Sequence, residues 1–322
     1  MAEENEECFA DLTVDMPFKK TFANEQEKEP LITMLNVFLE KALRHPIVDV
    51  SIKNPYVPGQ TSENRDSIFD ILCQDSEGGR FMVEVQVGKQ SYFIKRVFYY
   101  VCMAIANSGQ KGDWDFDYPP VYSLSFMNFD LEDFGNDDVV QHFGICNLAY
   151  PEIRLGHMGM AFVRLTMFNK TLDECHTLQD KLLFSLCHAH ELNSKPEQFG
   201  EEVFEKIFAI ARISNFTASE RAKYEAEMRN ERDQYAIRMT AIKEGKAEGI
   251  AIGEAKGVAI GHEEVLDLVA KGYDYEQIKK ILKSKSESEF ARILIIYRIK
   301  PRENVSKRLF KRLIYVFFAI TP

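Results

Sequence analysis

The segment at 92–107, YFIKRVFYYVCMAIAN, restricts the fold more than any other part of the sequence. It has the length of a helix of about four turns, and its side chains are apolar on nearly every face except at Lys95 and Arg96. Strand-like runs flank it, at 67–75, 81–87 and 121–129. The sequence therefore predicts a buried helix, packed on both sides, that connects strands of a sheet.

The remaining elements continue this pattern. A helix is predicted at 31–43 and a strand at 47–52. Two further strand candidates lie at 139–148 and 161–168, and the chain becomes helical from about 178. This order favours an α/β fold, with a mixed sheet flanked by helices.

Composition limits the class of protein. The chain has 322 residues, 45% of them apolar, which is typical of a globular protein and excludes disorder along the whole length. A single core rarely grows beyond about 300 residues, so one main domain with extensions is expected. The acidic N-terminus lacks a secretory signal, no apolar run is long enough to cross a membrane, and the six cysteines stand singly. We expect a cytoplasmic protein without a structural zinc site.

Charge is unevenly distributed along the chain. Residues 1–150 contain 25 acidic and 12 basic residues, within a net charge of -10 for the whole chain. Residues 290–322 contain eight basic residues and a single acidic one. A basic tail can bind phosphate backbones, although most short basic tails are merely solvated. The acidic first half argues against a broad nucleic-acid surface unless metal ions neutralise part of it.

The C-terminal third predicts three appended segments after a domain at 1–215. The segment at 216–262 is a charged helical arm with glycine at every fourth position from 245 to 261. It is either a flexible arm or, through 217–262, a seam for self-association. Residues 263–284 predict a small helical hairpin, and 285–322 form a basic, aromatic tail of unknown role.

The hairpin of 67–75 and 81–87 places acidic side chains on an apolar sheet. If SEGGR connects the strands and residue 75 pairs with 81, Asp70 lies opposite Gln86 and diagonal to Glu84. Two carboxylates on such a surface are costly to bury unless they are paired or bind a metal, and Mg²⁺ or Mn²⁺ prefers carboxylate oxygen. The alternative is a sheet face open to solvent, which the spacing alone favours.

Asp70, followed by thirteen residues and Glu84-Val85-Gln86, resembles the D-x(n)-E-x-K/Q motif of PD-(D/E)XK nucleases. The segment from Asp15 to Phe22 resembles the D-x-x-F-K-x-x-F opening of the recombination-promoting nuclease and transposase family within that superfamily. Further motifs follow in the order of that family: Leu35-Asn36, Arg96-Val97-Phe98-Tyr99-Tyr100, Pro120-Val121-Tyr122 and the glycine-spaced arm. The resemblance covers about 11–284.

This resemblance implies a restriction-endonuclease-like core, with a mixed central sheet between helices and a C-terminal helical arm, that cuts DNA with Mg²⁺ or Mn²⁺. Asp70 and Glu84 would hold the metal. Gln86 replaces the lysine of the wider superfamily and cannot act as a charged water activator. The missing cation could be Lys89, Lys95 or Arg96, and Arg96 is preferred because a guanidinium can hold a phosphate through two hydrogen bonds.

Three accessory residues are also expected near the metal. Asp15 and Lys19 lie four residues apart, so on a helix they would form an ion pair. Either Asp15 is an accessory acid near the metal, or the pair only stabilises the N-terminal turn. Glu40 is a second candidate, because many nucleases of this superfamily take an acid from the first helix.

Three functions compete at this point. The first is a metal-dependent DNA endonuclease associated with a mobile element or recombination. The second is a catalytically inactive DNA-binding or oligomerisation protein on a nuclease scaffold, favoured by the acidic first half and the absent lysine. The third is an accessory factor that binds DNA through the hairpin at 263–284.

Overall fold

The computed structural model describes residues 8–57, 67–131, 134, 138–154, 156–273, 277, 280 and 281. By its internal contacts the chain divides into two compact units, Met1–Gln234 and Tyr235–Pro322. The first unit contains all the strands described below. The sequence pattern predicts that the first domain ends at residue 215, before the long helix. That boundary and the three segments predicted after it remain predictions.

The first unit is built on a six-stranded mixed sheet. Its strands, numbered in chain order, are β1 (Val50–Lys53), β4 (Ile71–Asp75), β5 (Arg80–Gln86), β6 (Val121–Met127), β7 (Val140–Phe143) and β8 (Met158–Arg164). Across the sheet they run in the order β1-β4-β5-β6-β8-β7, and β5, β6 and β8 are parallel while the other neighbours are antiparallel. The short strands β2 (Tyr56–Val57) and β3 (Ser67–Ile68) pair separately.

Helices cover both faces of this sheet, as the sequence predicts. The first unit contains α1 (Asp15–Phe22), α2 (Glu29–Leu39), α3 (Phe93–Ala106), α4 (Leu178–His188) and α5 (Glu202–Ala211). The larger core contains buried side chains of α1, α2, α4 and α5, whereas a second core joins α3 to the opposite face. The predicted α/β class is therefore confirmed.

Alternation along β5 assigns its side chains to these two cores. Phe81 and Val83 belong to the larger core, while Met82 packs with α3. Glu84, two residues further along β5 than Met82, is therefore directed to the α3 side. All seven residues of β6 beside it are buried, as expected for a central strand of a covered sheet.

Two predictions about the hairpin and its helix were wrong. The predicted strand at 67–75 is interrupted by a bend at Asp70. Among the described residues α3 packs on one side, and Phe98 and Tyr99 on its other side are 45% and 46% exposed. An apolar surface on every side of a helix is thus compatible with single-sided packing when the outward residues include aromatic side chains.

The predicted hairpin register was also wrong, by two residues. Ile71 pairs with Val83 and Gln74 with Arg80, because the Asp75 N–H already donates to the Gly79 carbonyl at 3.0 Å. The tighter turn requires Gly78 at φ +91°, a conformation open to glycine. A shift of two residues preserves the faces of a strand, so the even-numbered positions still share one side.

The long helix α6 (Ala218–Ala270) begins in the first unit. A capping box precedes it, in which the Glu220 N–H donates to Thr217 Oγ1 at 3.2 Å and the Thr217 N–H donates to Glu220 Oε2 at 2.8 Å. Within the described residues, no helix is long and apolar enough to cross a membrane.

The second unit consists, in its described part, mainly of the rest of α6. The space around the Cα of Gly245, Gly249 and Gly253 is open, and self-association through 217–262 remains a prediction. The first helix of the predicted hairpin is the end of α6, and the chain turns at Gly272, where φ is +84°. Most of the second hairpin helix and all of 285–322 lie outside the described residues.

Candidate metal and phosphate site

The structure brings Asp70 to the end of β5. Asp70 directly precedes β4. The first residue of β4, Ile71, pairs with Val83, so Asp70 lies beside Glu84 and Val85 rather than opposite Gln86. Its Oδ2 accepts a hydrogen bond from the Val85 N–H at 2.7 Å. This bond fixes the carboxylate against the neighbouring strand just where regular pairing between the two strands stops.

Glu84 and Gln86 meet Arg96, which lies in the first turn of α3. One guanidinium nitrogen, Nη2, contacts Glu84 Oε1 closely and donates to Gln86 Oε1 at 3.0 Å. The other, Nη1, donates to Gln90 Oε1 at 2.6 Å. The structure thus joins Arg96 to both predicted site residues of β5.

Two polar groups beside this network have no hydrogen-bond partner among the described residues. One is Arg96 Nε, which is buried although the other two guanidinium nitrogens are bonded. The other is the buried hydroxyl of Ser125, the residue that pairs with Glu84 in the register of β5 and β6. Buried polar groups normally find partners, so these two favour a site that takes up a further polar ligand or water.

Burial raises the pKa of both carboxylates. The pKa of Glu84 is raised to about 7, mainly by desolvation and also by the nearby Asp70 carboxylate, against the opposing effect of Arg96. Desolvation likewise raises the pKa of Asp70, although the Val85 N–H and Lys19 oppose the shift. Each carboxylate is therefore costly to ionise here, and a bound cation would relieve that cost.

Lys19 extends the site towards α1. Its Nζ lies 2.5 Å from Asp15 Oδ1 and 3.5 Å from Asp70 Oδ1. Although desolvation opposes the shift, these two carboxylates raise the pKa of Lys19, which therefore stays charged. The predicted ion pair of Asp15 and Lys19 is present, and it adjoins Asp70. Whether either residue assists the chemistry remains a prediction.

The start of α6 holds α1 in place, which the sequence did not indicate. The N–H of Met16, in the first turn of α1, donates to Glu227 Oε2 at 2.9 Å. Lys20 pairs with Glu220 at 2.5 Å, and Lys223 lies 3.9 Å from Asp15. Residues about 200 positions apart in the chain thus set the position of Lys19.

Other candidates lie apart from this cluster. Glu40 is exposed at the C-terminal end of α2, where it lines a different pocket with Lys170 and His142, and the structure does not bring it to Asp70 and Glu84. Lys89 and Lys95 are exposed, whereas Tyr100, a residue of α3, is buried in the core between α3 and the sheet. Arg96 alone of the three proposed cations contacts Glu84.

The donor set fits a hard divalent cation with few protein ligands. Asp70 and Glu84 are carboxylates with 22% and 15% of their side chains exposed, so each retains access to solvent. Mg²⁺ commonly binds one or two carboxylates and completes its coordination with waters and substrate phosphate. Within the described residues no group of three or more His, Cys, Asp or Glu side chains could hold a metal. Any ion here would depend on such outer ligands.

Sequence reasoning missed three partners of the site. Gln90 receives a hydrogen bond from Arg96, the Val85 N–H orients Asp70, and Glu227 holds α1. Gln90 follows Gln86 by four residues in an irregular connection, where spacing predicts no contact. The backbone bond to Asp70 depends on the bend before β4, which the strand pattern conceals.

A comparison with protein families matches residues 12–241 to the PD-(D/E)XK nuclease family transposases. The match includes the N-terminal motif, the hairpin, the whole sheet and the start of α6. Comparisons with curated proteins and with solved structures gave no match.

Proposed function

Because the chain belongs to the PD-(D/E)XK nuclease family transposases, we propose that it is a metal-dependent DNA endonuclease that hydrolyses phosphodiester bonds in recombination or in the movement of a mobile element. The observation that carries this proposal is the convergence of Asp70, Glu84 and Arg96 at the end of β5. Two desolvated carboxylates and a partly unsatisfied guanidinium match the charges of a divalent cation and a phosphate.

Asp70 and Glu84 would hold Mg²⁺ or Mn²⁺ in this proposal. When bound, such an ion neutralises phosphate charge and lowers the pKa of a water molecule near it. The Val85 N–H keeps the Asp70 carboxylate directed to the site, which limits the reorganisation needed for binding. Glu84 must lose its proton to bind a cation, and its raised pKa places that loss near neutral pH.

Arg96 would bind the scissile phosphate. Its guanidinium carries a permanent positive charge, and its buried Nε has no acceptor among the described residues. Gln86 cannot supply the charge of the lysine found in the wider superfamily. Its side-chain oxygen instead accepts a hydrogen bond from Nη2 and so orients the guanidinium. Lys19 places a second positive charge beside Asp70 and can offset phosphate charge there.

Plasmid cleavage tests this proposal directly. Supercoiled and linear DNA are incubated with the protein in Mg²⁺, in Mn²⁺ and in chelator. We expect cutting in at least one metal, none in chelator, and none by Asp70→Ala or Glu84→Ala at equal folded concentration. Glu77→Ala is the matched control, because Glu77 is an exposed carboxylate in the turn of the same hairpin. Wild-type cutting by Glu84→Ala would show that the site is assigned wrongly.

An inactive scaffold is the second candidate, and one observation favours it. Arg96 and Lys19 already provide positive charge to Glu84 and Asp70, so the carboxylates can be compensated without a metal. Calorimetric titration with Mn²⁺ separates the two proposals. A nuclease binds Mn²⁺ in a manner lost in Asp70→Ala, whereas a scaffold of this kind needs no metal site.

A further inference from the structure

A second cavity lies at the other end of the parallel strands. Tyr122, near the start of β6, and Met158, the first residue of β8, contribute to its lining, whereas Glu84 and Gln86 lie near the end of β5. Its volume is about 410 Å³, which suits a small ligand. Five of its lining residues are basic: Lys41, Arg44, His142, Arg154 and His157. None of its described lining residues is acidic.

Close packing of the turn after α2 on β8 builds this cavity. A Cβ atom added to Gly159 would lie only 2.5 Å from the Ala42 Cβ, so the turn can approach only because residue 159 is glycine. Arg44 Nη2 then lies 3.0 Å from His157 Nε2. The Arg154 guanidinium donates to the Lys41 carbonyl, which fixes the opposite wall.

The charges of the cavity are not neutralised by the protein. None of Lys41, Arg44 and Arg154 forms an ion pair with a carboxylate of the described residues. Elsewhere in the same unit Lys206 and Arg164 have carboxylate partners. Concentrated positive charge in an acidic protein indicates an anionic ligand.

His142 lies among these positive charges. Desolvation lowers the pKa of His142, and the positive charges of Lys41 and Arg154 lower it further. Glu40, which opposes this shift, is not among the residues that line the cavity. His142 Nδ1 is buried and has no hydrogen-bond partner among the described residues.

We propose that this cavity binds a phosphate group, carried either by the backbone of a nucleic acid or by a free phosphate compound. The two arginines offer several N–H donors in planar arrays, which suit phosphate oxygens, and Lys41 adds a third permanent charge. Histidine and Tyr122 can complete the hydrogen bonds. The site does not use Asp70 or Glu84, so it can bind whether or not the protein cleaves DNA.

The test compares the wild-type chain with Arg44→Gln/Arg154→Gln, in chelator so that no cleavage occurs. Arg229→Gln/Arg232→Gln is the matched control, because it removes equal charge from exposed positions of α6. Pyrophosphate binding is measured by calorimetry, and binding of a labelled DNA duplex is measured over a range of salt concentrations. Circular dichroism checks the fold, and Lys41→Gln serves as a second variant because the Lys41 backbone carbonyl is retained.

We expect the cavity variants to lose at least about tenfold in affinity in one or both arms, and the control to match the wild type. Loss confined to pyrophosphate identifies a free phosphate compound as the ligand. Loss of duplex affinity identifies the nucleic-acid backbone as the ligand. In that case the slope of log affinity against log salt concentration also becomes smaller, by the amount expected for about one lost phosphate contact. Unchanged binding in both arms, or equal loss in the control, overturns the proposal. Because the assay contains no metal, failed cleavage does not affect its outcome.

Discussion

Replacing Glu84 by glutamine is expected to stabilise the metal-free protein above neutral pH. Burial raises the pKa of this carboxyl group from its ordinary value of 4.5 to about 7 in the folded chain. The folded state therefore disfavours the ionised form. Glutamine has nearly the same shape, keeps an oxygen for Arg96, and carries no charge to desolvate.

The sign and size follow from proton linkage. Below pH 4.5 the group is protonated in both the folded and the unfolded chain, so it has no effect on stability. Between 4.5 and about 7 only the unfolded chain loses the proton, and the free energy of unfolding falls as the pH rises. At about 1.4 kcal/mol for each pH unit, the full cost is about 3 to 4 kcal/mol, reached above pH 7.

Urea denaturation of both proteins in chelator, from about pH 5 to about pH 8, measures this cost. The quantity of interest is the difference between their free energies of unfolding. Glu231 also has its pKa raised to about 7, by burial and by Asp11 and Glu227, but it is present in both proteins and its effect cancels. A difference that stays constant with pH, or a variant less stable than the wild type at about pH 8, would refute the reasoning.

Two further substitutions test the site and the phosphate cavity. Arg96→Gln is expected to lower the cleavage rate by about 100-fold, because it removes the charged donor proposed to bind the phosphate. Lys95→Gln, on the exposed side of α3, is expected to change the rate little. Steady-state cleavage rates test this, and equal rates for the two variants would exclude the proposed role of Arg96. Gly159→Ala is expected to lower the free energy of unfolding by about 1 to 3 kcal/mol through the clash with Ala42, whereas Gly200→Ala, which meets open space, should have a small effect. Urea denaturation measures both, and similar values for the two glycine variants would contradict the packing argument.

The hairpin shows how much of the site could be predicted from sequence. Alternation along β5 assigned Glu84 and Gln86 to one face, and the error of two residues in register left that assignment intact. The register itself depended on Gly78, since a tight turn with positive φ is possible in SEGGR but is not required by it. Local patterns thus determine faces more reliably than they determine partners.

Long-range contacts were beyond such reasoning. Arg96 could be selected because its helix begins close to the end of β5, only a few residues along the chain. The contact between Lys19 and Asp70 requires α1 to pack beside the sheet. No periodicity in the sequence shows that Glu227 bonds to Met16 across 211 positions, because the exposed faces of α6 carry many similar charges.

The contacts between α1 and the start of α6 also constrain the order in which contacts can form while the chain is being synthesised. Asp11 and Met16 bond to Tyr224 and Glu227, across separations of 213 and 211 positions. A nascent chain exposes α1 early, yet Tyr224 and Glu227 emerge from the ribosome only after the whole sheet has been made. The contacts from α6 to α1 can therefore form only after Asp70 and Glu84 have both been synthesised. A polypeptide interrupted before residue 218 would contain both carboxylates of the site but lack these contacts to α1.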